Sequence, residues 1–232
     1  MSAIFTLDNM MFLANGLKIT LMVAIITIIL SIIIGSVLAV MRNYGNALIR
    51  NIAAVYIEVF RCTPNILWVL VIRFMVPIPP VASGVLSFTL FTSAVVAEII
   101  RGGLNSIPKG QFEAASSQGF TFFQSLIHIV LPQTFKKIVP SLLSQMVTII
   151  KDTSFLWVVS IEEFTGKGMI LMGKMTTSAQ VFTLFTLIAL VYFVLNFALS
   201  QYVRSKQSND NGMVTGPTDK KINAGKKTLK AS

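Results

Sequence analysis

The sequence EAASSQGFTFFQSLIHIVLP, residues 113–132, decides how the rest of the chain is interpreted. It begins with polar, helix-forming residues, although the chain around it is mostly apolar. Gly119 is the residue type that tolerates the left-handed conformation after a helix end. Thr121 followed by Gln124 matches a capping box, which begins a new helix. The segment therefore predicts two short helices joined by an elbow at Gly119.

The composition around this segment is that of an integral membrane protein. Of the 232 residues, 54% are hydrophobic and 12% are charged, against a charged fraction of about 25% in soluble domains. Five apolar segments are long enough, or nearly so, to cross a hydrocarbon core of roughly 30 Å; they are residues 17–41, 52–76, 84–100, 138–160 and 181–203. The predicted fold class is all-α, a polytopic membrane protein of five transmembrane helices with one long loop at residues 101–137.

The basic residues predict the orientation of these spans, because positive charge is retained on the cytoplasmic side of a membrane. If the N-terminus is outside and the C-terminus inside, more of the basic residues lie on the cytoplasmic side than on the outer side. The cytoplasmic group comprises Arg42, Arg50, Arg101, Lys109, Lys136, Lys137, Arg204 and Lys206, against Lys18, Lys167 and Lys174 outside. Residues 1–16 are then an external segment, residues 17–203 the transmembrane domain, and residues 204–232 a basic cytoplasmic tail. The tail has almost no large apolar side chains, which predicts disorder.

The spacing within the long loop resembles the "EAA" loop of bacterial ABC-importer permeases. That pattern is Glu-Ala-Ala, Gly, Ile and Leu-Pro at fixed separations, met here by Glu113, Ala114, Ala115, Gly119, Ile129, Leu131 and Pro132. Two further stretches resemble the polar amino acid permeases within that group. EVFRCTP, residues 58–64, is similar to their Glu-x-x-Arg-Gly-Thr-Pro segment, and KDTSF, residues 151–155, to their Lys-Asp-Thr-Ser-Leu segment.

This resemblance implies the membrane-spanning subunit of a type I ABC importer, in a bacterial plasma membrane. The implied substrate is a polar amino acid, glutamine first, with glutamate, arginine and histidine as alternatives. The implied partners are a pair of ATP-binding subunits that grip the loop, a second permease subunit, and an extracytoplasmic amino-acid-binding protein. ATP and Mg²⁺ then belong to the partner, and this chain binds no cofactor and catalyses no reaction. A self-contained secondary carrier or channel is the alternative function, and a transport-inactive scaffold or sensor is a third.

Polar and charged residues inside two spans are the candidates for a substrate pathway. An Arg, Lys or Asp at a helix centre costs about 2.5 to 3.5 kcal/mol to insert, so such residues face the bundle interior or water. The candidates in the second and fourth spans are Glu58, Arg61, Thr63, Pro64, Arg73, Lys151, Asp152, Thr153 and Ser154. Pro64 predicts a kink that frees backbone groups, which either line a cavity or only alter packing.

Each group of candidates also has a structural interpretation. Glu58 and Arg61, three residues apart, either form a local ion pair or take part in transport. Arg73 either extends to the membrane interface or offers its fork of donors to a substrate carboxylate. Residues 151–154 either complement an amino acid zwitterion or make interhelical hydrogen bonds.

Three further predictions concern residues outside this pathway. Glu98 and Arg101 are expected to form an ion pair at the end of the third span. His128 stands alone and is expected at the loop surface. The segment of residues 161–180 is polar with apolar interruptions, and is expected to lie against the membrane surface or to dip into it.

Overall fold

All regular secondary structure in the described part of the chain is helical. The computed structural model describes the backbone of residues 6–214 and the side chains of residues 6–205. The helices are α1 (Leu7–Tyr44), α2 (Ala47–Cys62), α3 (Asn65–Met75), α4 (Pro80–Asn105), α5 (Gly110–Ser117), α6 (Phe122–Ser125), α7 (Leu131–Asp152), α8 (Phe164–Met172) and α9 (Ser178–Val214). A π-helical turn, Leu126–Val130, joins α6 to α7, and a 3₁₀ helix, Thr153–Val159, follows α7.

Within the described residues, four helical stretches could cross a membrane, and a bent helix pair brings the number to five if it forms one span. Leu7–Tyr44, Pro80–Asn105, Phe122–Val159 and Ser178–Ser205 are long and apolar enough to cross a membrane. The second predicted span is instead the pair α2 and α3, bent by 102°. The bend lies at Pro64, which has no backbone N–H and forces the preceding residue into an extended conformation. Thr63 is extended accordingly, with ψ at 146°.

Two predicted boundaries differ from the helices observed. The external segment of residues 1–16 is helical from Leu7 onward, because the Thr6 hydroxyl accepts from the backbone N–H of Asn9 at 3.3 Å and caps α1. At the other terminus, α9 continues to Val214, into the tail that the composition predicts to be disordered. The remainder of that prediction concerns residues 215–232, which lie outside the described residues.

The core is built around α1 and α4, which run side by side in the same direction. Small residues allow this close approach: a Cβ on Gly35 would lie 3.0 Å from the backbone of both Ser93 and Ala97. The Ser31 hydroxyl donates to the carbonyl of Thr89 at 3.4 Å. We call the end of the bundle that carries α5 and α6 the elbow end, and the end that carries α8 the distal end.

The first part of the segment of residues 161–180, with helix α8, packs inside the bundle, whereas residues 173–179 are mostly exposed. Helix α8 contacts both α1 and α9. Gly16 of α1 makes room for it, because a Cβ there would lie 3.0 Å from the Cα of Phe164. A second apolar cluster fills the distal end between the three helices, formed by Leu13, Phe164, Leu171, Leu184 and Ile188.

Candidate functional site

The elbow forms as the sequence predicts. Gly119 has a φ of +82°, in the left-handed region. The backbone N–H of Phe120 donates to Ala115 at 3.1 Å and that of Gly119 to Ser116 at 3.0 Å, which are the two bonds of a Schellman helix end. The predicted capping box at Thr121 is also present. Its side-chain bonds therefore fix the start of the second helix.

The seven residues of the loop pattern divide between the surface and the interior. Glu113, Ala114, Gly119 and Pro132 are exposed, Ala115 is buried, and Ile129 and Leu131 are partly buried. A Cβ on Gly119 would meet no heavy atom within 4 Å. The glycine is therefore required by backbone conformation and not by space. His128 is exposed, as predicted.

Three aromatic rings attach the elbow to the end of α1. The ring of Tyr44 lies 5.9 Å from that of Phe112 and 5.2 Å from that of Phe122, centroid to centroid. Phe112 and Phe122 stack at 5.6 Å. These distances are in the range of favourable aromatic pairs. These contacts pack α5 and α6 against the end of α1.

An ionic cluster joins α1, α2 and α4 near the elbow end. Glu98 accepts from Arg42 and Arg101, each at 2.8 Å, and lies 4.0 Å from Arg61. Arg42 also contacts Glu58 at 3.1 Å. The predicted pair of Glu98 and Arg101 is confirmed. The local pair of Glu58 and Arg61, one of the two alternatives for these residues, is not among the ion pairs of the described residues, where Glu58 contacts Arg42 and Arg61 lies near Glu98. Arg42, arriving from α1, lies between the two carboxylates, so Glu58 bonds across helices.

The break between α2 and α3 is held by side-chain hydrogen bonds. The Thr63 hydroxyl donates to the carbonyl of Val59 at 2.7 Å and accepts from the indole N–H of Trp68 at the same distance. These bonds give Thr63 a structural partner on each side of Pro64. Arg73 lies in the last turn of α3, and its Nε is buried without a hydrogen-bond partner.

Residues 151–154 lie where α7 passes into the 3₁₀ helix. The Thr153 hydroxyl is buried and donates to the carbonyl of Ile150 at 2.7 Å, and Ser154 donates to the carbonyl of Lys151 at 2.8 Å. Asp152 accepts from the side-chain amide of Asn65 at 3.2 Å, which ties α7 to α3. Lys151 is exposed. Of these hydrogen bonds, the one to Asp152 crosses to another helix, whereas those of Thr153 and Ser154 stay within the same helical stretch.

A cavity of about 460 Å³ opens beside Lys151, and we call it the Lys151 cavity. Its lining comes from α7, α8, α9 and the 3₁₀ helix: Lys151, Ser154, Thr165, Phe185, Ile188, Ala189 and Tyr192. One wall is apolar, and the other carries an ammonium group and three hydroxyls. Of these residues the sequence pattern identified Lys151 and Ser154 and missed Thr165 and Tyr192.

A fully buried carboxylate lies behind the polar wall. Glu163 is 0% exposed. Its Oε1 accepts from the N–H of Gly166 at 2.7 Å, and its Oε2 accepts from the N–H of Thr165 at 2.9 Å, Tyr192 Oη at 3.1 Å and Thr20 Oγ1 at 3.2 Å. Burial raises the pKa of the Glu163 carboxyl, although its hydrogen bonds act in the opposite direction. The only signal in the sequence is an acidic residue at a helix N-cap, which does not predict burial.

Comparison with known proteins identifies the family of this fold. The family described as the inner membrane component of binding-protein-dependent transport systems matches residues 31–205. The chain belongs to this family. The predicted resemblance to the polar amino acid permeases and the predicted all-α importer-permease fold are thereby confirmed.

Three relatives show how far the similarity of this permease extends. The probable glutamine ABC transporter permease protein GlnP of Bacillus subtilis is 35% identical over 205 residues, 86% of this chain and 94% of that protein. The glutamate/aspartate import permease protein GltK of Escherichia coli is 33% identical over 205 residues, 83% and 90% of the two chains. A solved structure, of an amino acid ABC transporter with histidines, superimposes with a TM-score of 0.76 at 28% identity, covering 87% of this chain and 95% of that one.

Proposed function

We propose that this permease is the membrane-spanning subunit of an ATP-driven importer for polar amino acids, with glutamine as its first candidate substrate. The elbow of α5 and α6 is the observation that carries the proposal. It presents Glu113 and Ala114 to solvent beside a fixed turn at Gly119. A short rigid surface of this kind suits docking to a separate motor subunit that moves it as a unit.

The aromatic contacts supply the route from the motor to the spans. The ring of Tyr44 contacts the elbow at Phe112 and Phe122. Two residues before Tyr44 along α1, Arg42 bonds both Glu58 and Glu98. Movement of the elbow is thereby passed to α1, α2 and α4 together. Alternating access follows if these helices reorient as ATP-driven closure pulls the elbow.

The substrate class is supported by the relatives and by the polar groups of the distal half. The relatives are described by name as permeases for glutamine and for glutamate/aspartate. In this chain, Lys151 offers an ammonium group to a cavity of about 460 Å³. Arg73 offers a buried Nε donor that has no partner. Both groups suit a substrate carboxylate.

The other candidate pathway residues divide into supporting and surface positions. Thr63, Asp152 and Thr153 already bond to protein groups and hold the helices that carry Arg73 and Lys151. Pro64 sets the bend between α2 and α3. Ser154 lies at the cavity wall. Glu58 and Arg61 remain candidates at the half-exposed edge of the ionic cluster, with side chains 52% and 42% exposed.

The proposed assembly contains two permease subunits, two ATP-binding subunits and an extracytoplasmic binding protein. ATP and Mg²⁺ are held by the ATP-binding subunits, so this chain is non-catalytic. The N-terminus is outside and the C-terminus inside, which places the elbow end in the cytoplasm, where ATP is available. The orientation rests on the distribution of basic residues.

Uptake by the purified complex tests this proposal. The permease is purified from membranes with the subunits that bind it, reconstituted into vesicles, and supplied with radiolabelled L-glutamine, L-glutamate, L-arginine or L-histidine together with the binding protein. We expect uptake that requires ATP and a substrate-stimulated ATPase activity. Uptake that persists without ATP would establish the secondary carrier instead. ATPase binding without any uptake would establish the scaffold.

A further inference from the structure

We propose that Glu163 is a positioning residue of the amino acid site, because it holds the hydroxyls of Tyr192 and Thr165 at the wall of the Lys151 cavity. This inference rests on the proposed function. It assigns a role in substrate affinity to the buried residue that caps the N-terminus of α8, although that residue does not line the cavity itself.

The hydrogen bonds around Glu163 fix the direction in which the Tyr192 hydroxyl points. Thr20 accepts from the N–H of Phe164 at 3.2 Å, and its own proton goes to Glu163 Oε2 at 3.2 Å. Tyr192 donates to the same oxygen at 3.1 Å. A phenol has one proton and two lone pairs, so donation to Glu163 leaves the Tyr192 oxygen as an acceptor.

That orientation makes the cavity complementary to a zwitterion. The Tyr192 oxygen lies 3.1 Å from Thr165 Oγ1, so the cavity wall carries two adjacent hydroxyl oxygens. Because the Tyr192 proton is given to Glu163, Thr165 donates to the Tyr192 oxygen, and the lone pairs left on the Thr165 oxygen can accept from a substrate ammonium group. Lys151 lines the same cavity and donates to a substrate carboxylate. The apolar wall of Phe185 and Ile188 is left for the side-chain carbons of the amino acid.

The burial of Glu163 makes this orientation rigid. The carboxylate joins Thr20 of α1 and Tyr192 of α9 to the first turn of α8. A buried polar network whose members are all bonded has little freedom to rearrange. Replacing the carboxylate by an amide places an N–H₂ group opposite either the N–H of Gly166 or the three donors at Oε2, so one acceptor of the network that fixes the Tyr192 hydroxyl is lost.

Direct binding measurements with the full permease–ATPase complex test this role. The dissociation constants of radiolabelled L-glutamine, L-glutamate and L-arginine are measured without binding protein for the wild type, Glu163→Gln, Tyr192→Phe and the double variant. Tyr192→Phe removes one oxygen and keeps the ring against Phe164, 5.4 Å away between centroids. Glu162→Gln is the matched control, because the Glu162 carboxylate is 57% exposed and contacts Lys167 at 3.6 Å.

We expect Glu163→Gln and Tyr192→Phe each to raise the dissociation constant of the amino acid that the wild type binds most tightly by about tenfold. The double variant should be no weaker than the weaker single variant, because both changes act through one hydroxyl. In the Glu162→Gln control, amino acid affinity, basal ATPase activity and melting temperature should all stay at wild-type values.

Four outcomes would overturn the inference. An unchanged affinity in Tyr192→Phe would show that the hydroxyl is not part of the site, even if Glu163→Gln fails to assemble. Additive losses in the double variant would show that Glu163 acts by another route. A wild-type complex that neither binds nor imports any of the three amino acids would remove the proposed function, and this inference with it; normal import with unchanged affinity in both variants would remove this inference alone.

Discussion

The elbow and the surroundings of Glu163 are both polar and both central to the proposed mechanism, but they are built in opposite ways. The bonds that form the turn and the capping box of the elbow join residues close in sequence, such as Thr121 with Gln124, three apart. Glu163 also bonds to its neighbours Thr165 and Gly166, but its bonds to Tyr192 and Thr20 join residues 29 and 143 positions apart. The elbow residues Glu113 and Gly119 are exposed, whereas Glu163 is fully buried.

This difference matches what each region is proposed to do. A surface unit with its own internal bonds keeps its shape while it moves, so it suits contact with a motor. A buried carboxylate bonded to α1, α8 and α9 fixes those elements relative to one another, so it suits a site that must hold its geometry. Substitutions at the elbow should therefore change the coupling of uptake to ATP hydrolysis. Substitutions around Glu163 should change substrate affinity or stability.

The largest effect is expected from Gly119→Val at the elbow. A left-handed backbone costs an L-residue roughly 1 to 2 kcal/mol, and a β-branched side chain is a particular outlier there. A Cβ at this position meets nothing within 4 Å, so the bundle should still fold and insert. We expect ATP-dependent uptake to be abolished in reconstituted vesicles.

Gly102→Val is the matched control for this substitution. Gly102 lies in α4 with an ordinary helical backbone, and a Cβ there also meets nothing within 4 Å. Uptake by this variant should match the wild type. If Gly119→Val transports normally as well, the fixed turn plays no part in coupling.

The contrast between the two regions also explains what the sequence could predict. Glycine and capping preferences act within a few residues, so the elbow at Gly119 and the capping box at Thr121 were predicted correctly. The bend at Pro64 followed from the missing N–H of proline, although its size of 102° did not. Composition alone placed the remaining apolar helices.

The same local preferences could not predict bonds between residues that are far apart in the sequence. The partner of Glu58 proved to be Arg42, 16 positions away, and not Arg61 on the same helix. Nothing local to residues 161–180 indicated that Gly16 would admit α8 into the bundle. The role of Tyr192 depends on Glu163, which is found only once α8 and α9 are in contact.

A large loss of stability is expected from Glu98→Gln in the ionic cluster. The carboxylate accepts from Arg42 and Arg101 and has a side chain only 17% exposed. Removing one partner of a buried ion pair costs about 3 to 5 kcal/mol, and the partial exposure of this cluster reduces the expected cost to about 2 kcal/mol. Thermal unfolding of the purified complex measures it.

Glu58→Gln provides the comparison within the same cluster. Its side chain is 52% exposed, and exposed ion pairs contribute about 0 to 1 kcal/mol. We expect a small shift in melting temperature for this variant and a large one for Glu98→Gln. Equal shifts would mean that Glu98 does not hold α1 and α4 together.

An intermediate effect on coupling is expected from Tyr44→Leu. This substitution removes two aromatic pairs, with Phe112 and Phe122, each worth about 0.5 to 1.5 kcal/mol. The elbow should then transmit less of its movement to α1. Uptake per ATP hydrolysed should fall severalfold while ATPase activity persists, and Tyr44→Phe should retain the wild-type ratio because it keeps the ring. A wild-type ratio of uptake to ATP hydrolysis in Tyr44→Leu would show that movement of the elbow reaches the spans by contacts other than those of Tyr44.

The smallest effect is expected from Asp152→Asn. This substitution tests whether the Asp152 carboxylate is structural or contacts the substrate. An asparagine keeps an oxygen to accept the bond that Asn65 makes at 3.2 Å, so uptake and melting temperature should change little. Asp152→Ala removes the acceptor and should cost about 1 kcal/mol of stability. If Asp152→Asn instead abolishes uptake in a stable complex, the charge itself is needed. The Asp152 carboxylate, next to the Lys151 cavity, would then bind the substrate ammonium group. Asp152 would thereby take over part of the role proposed for Tyr192.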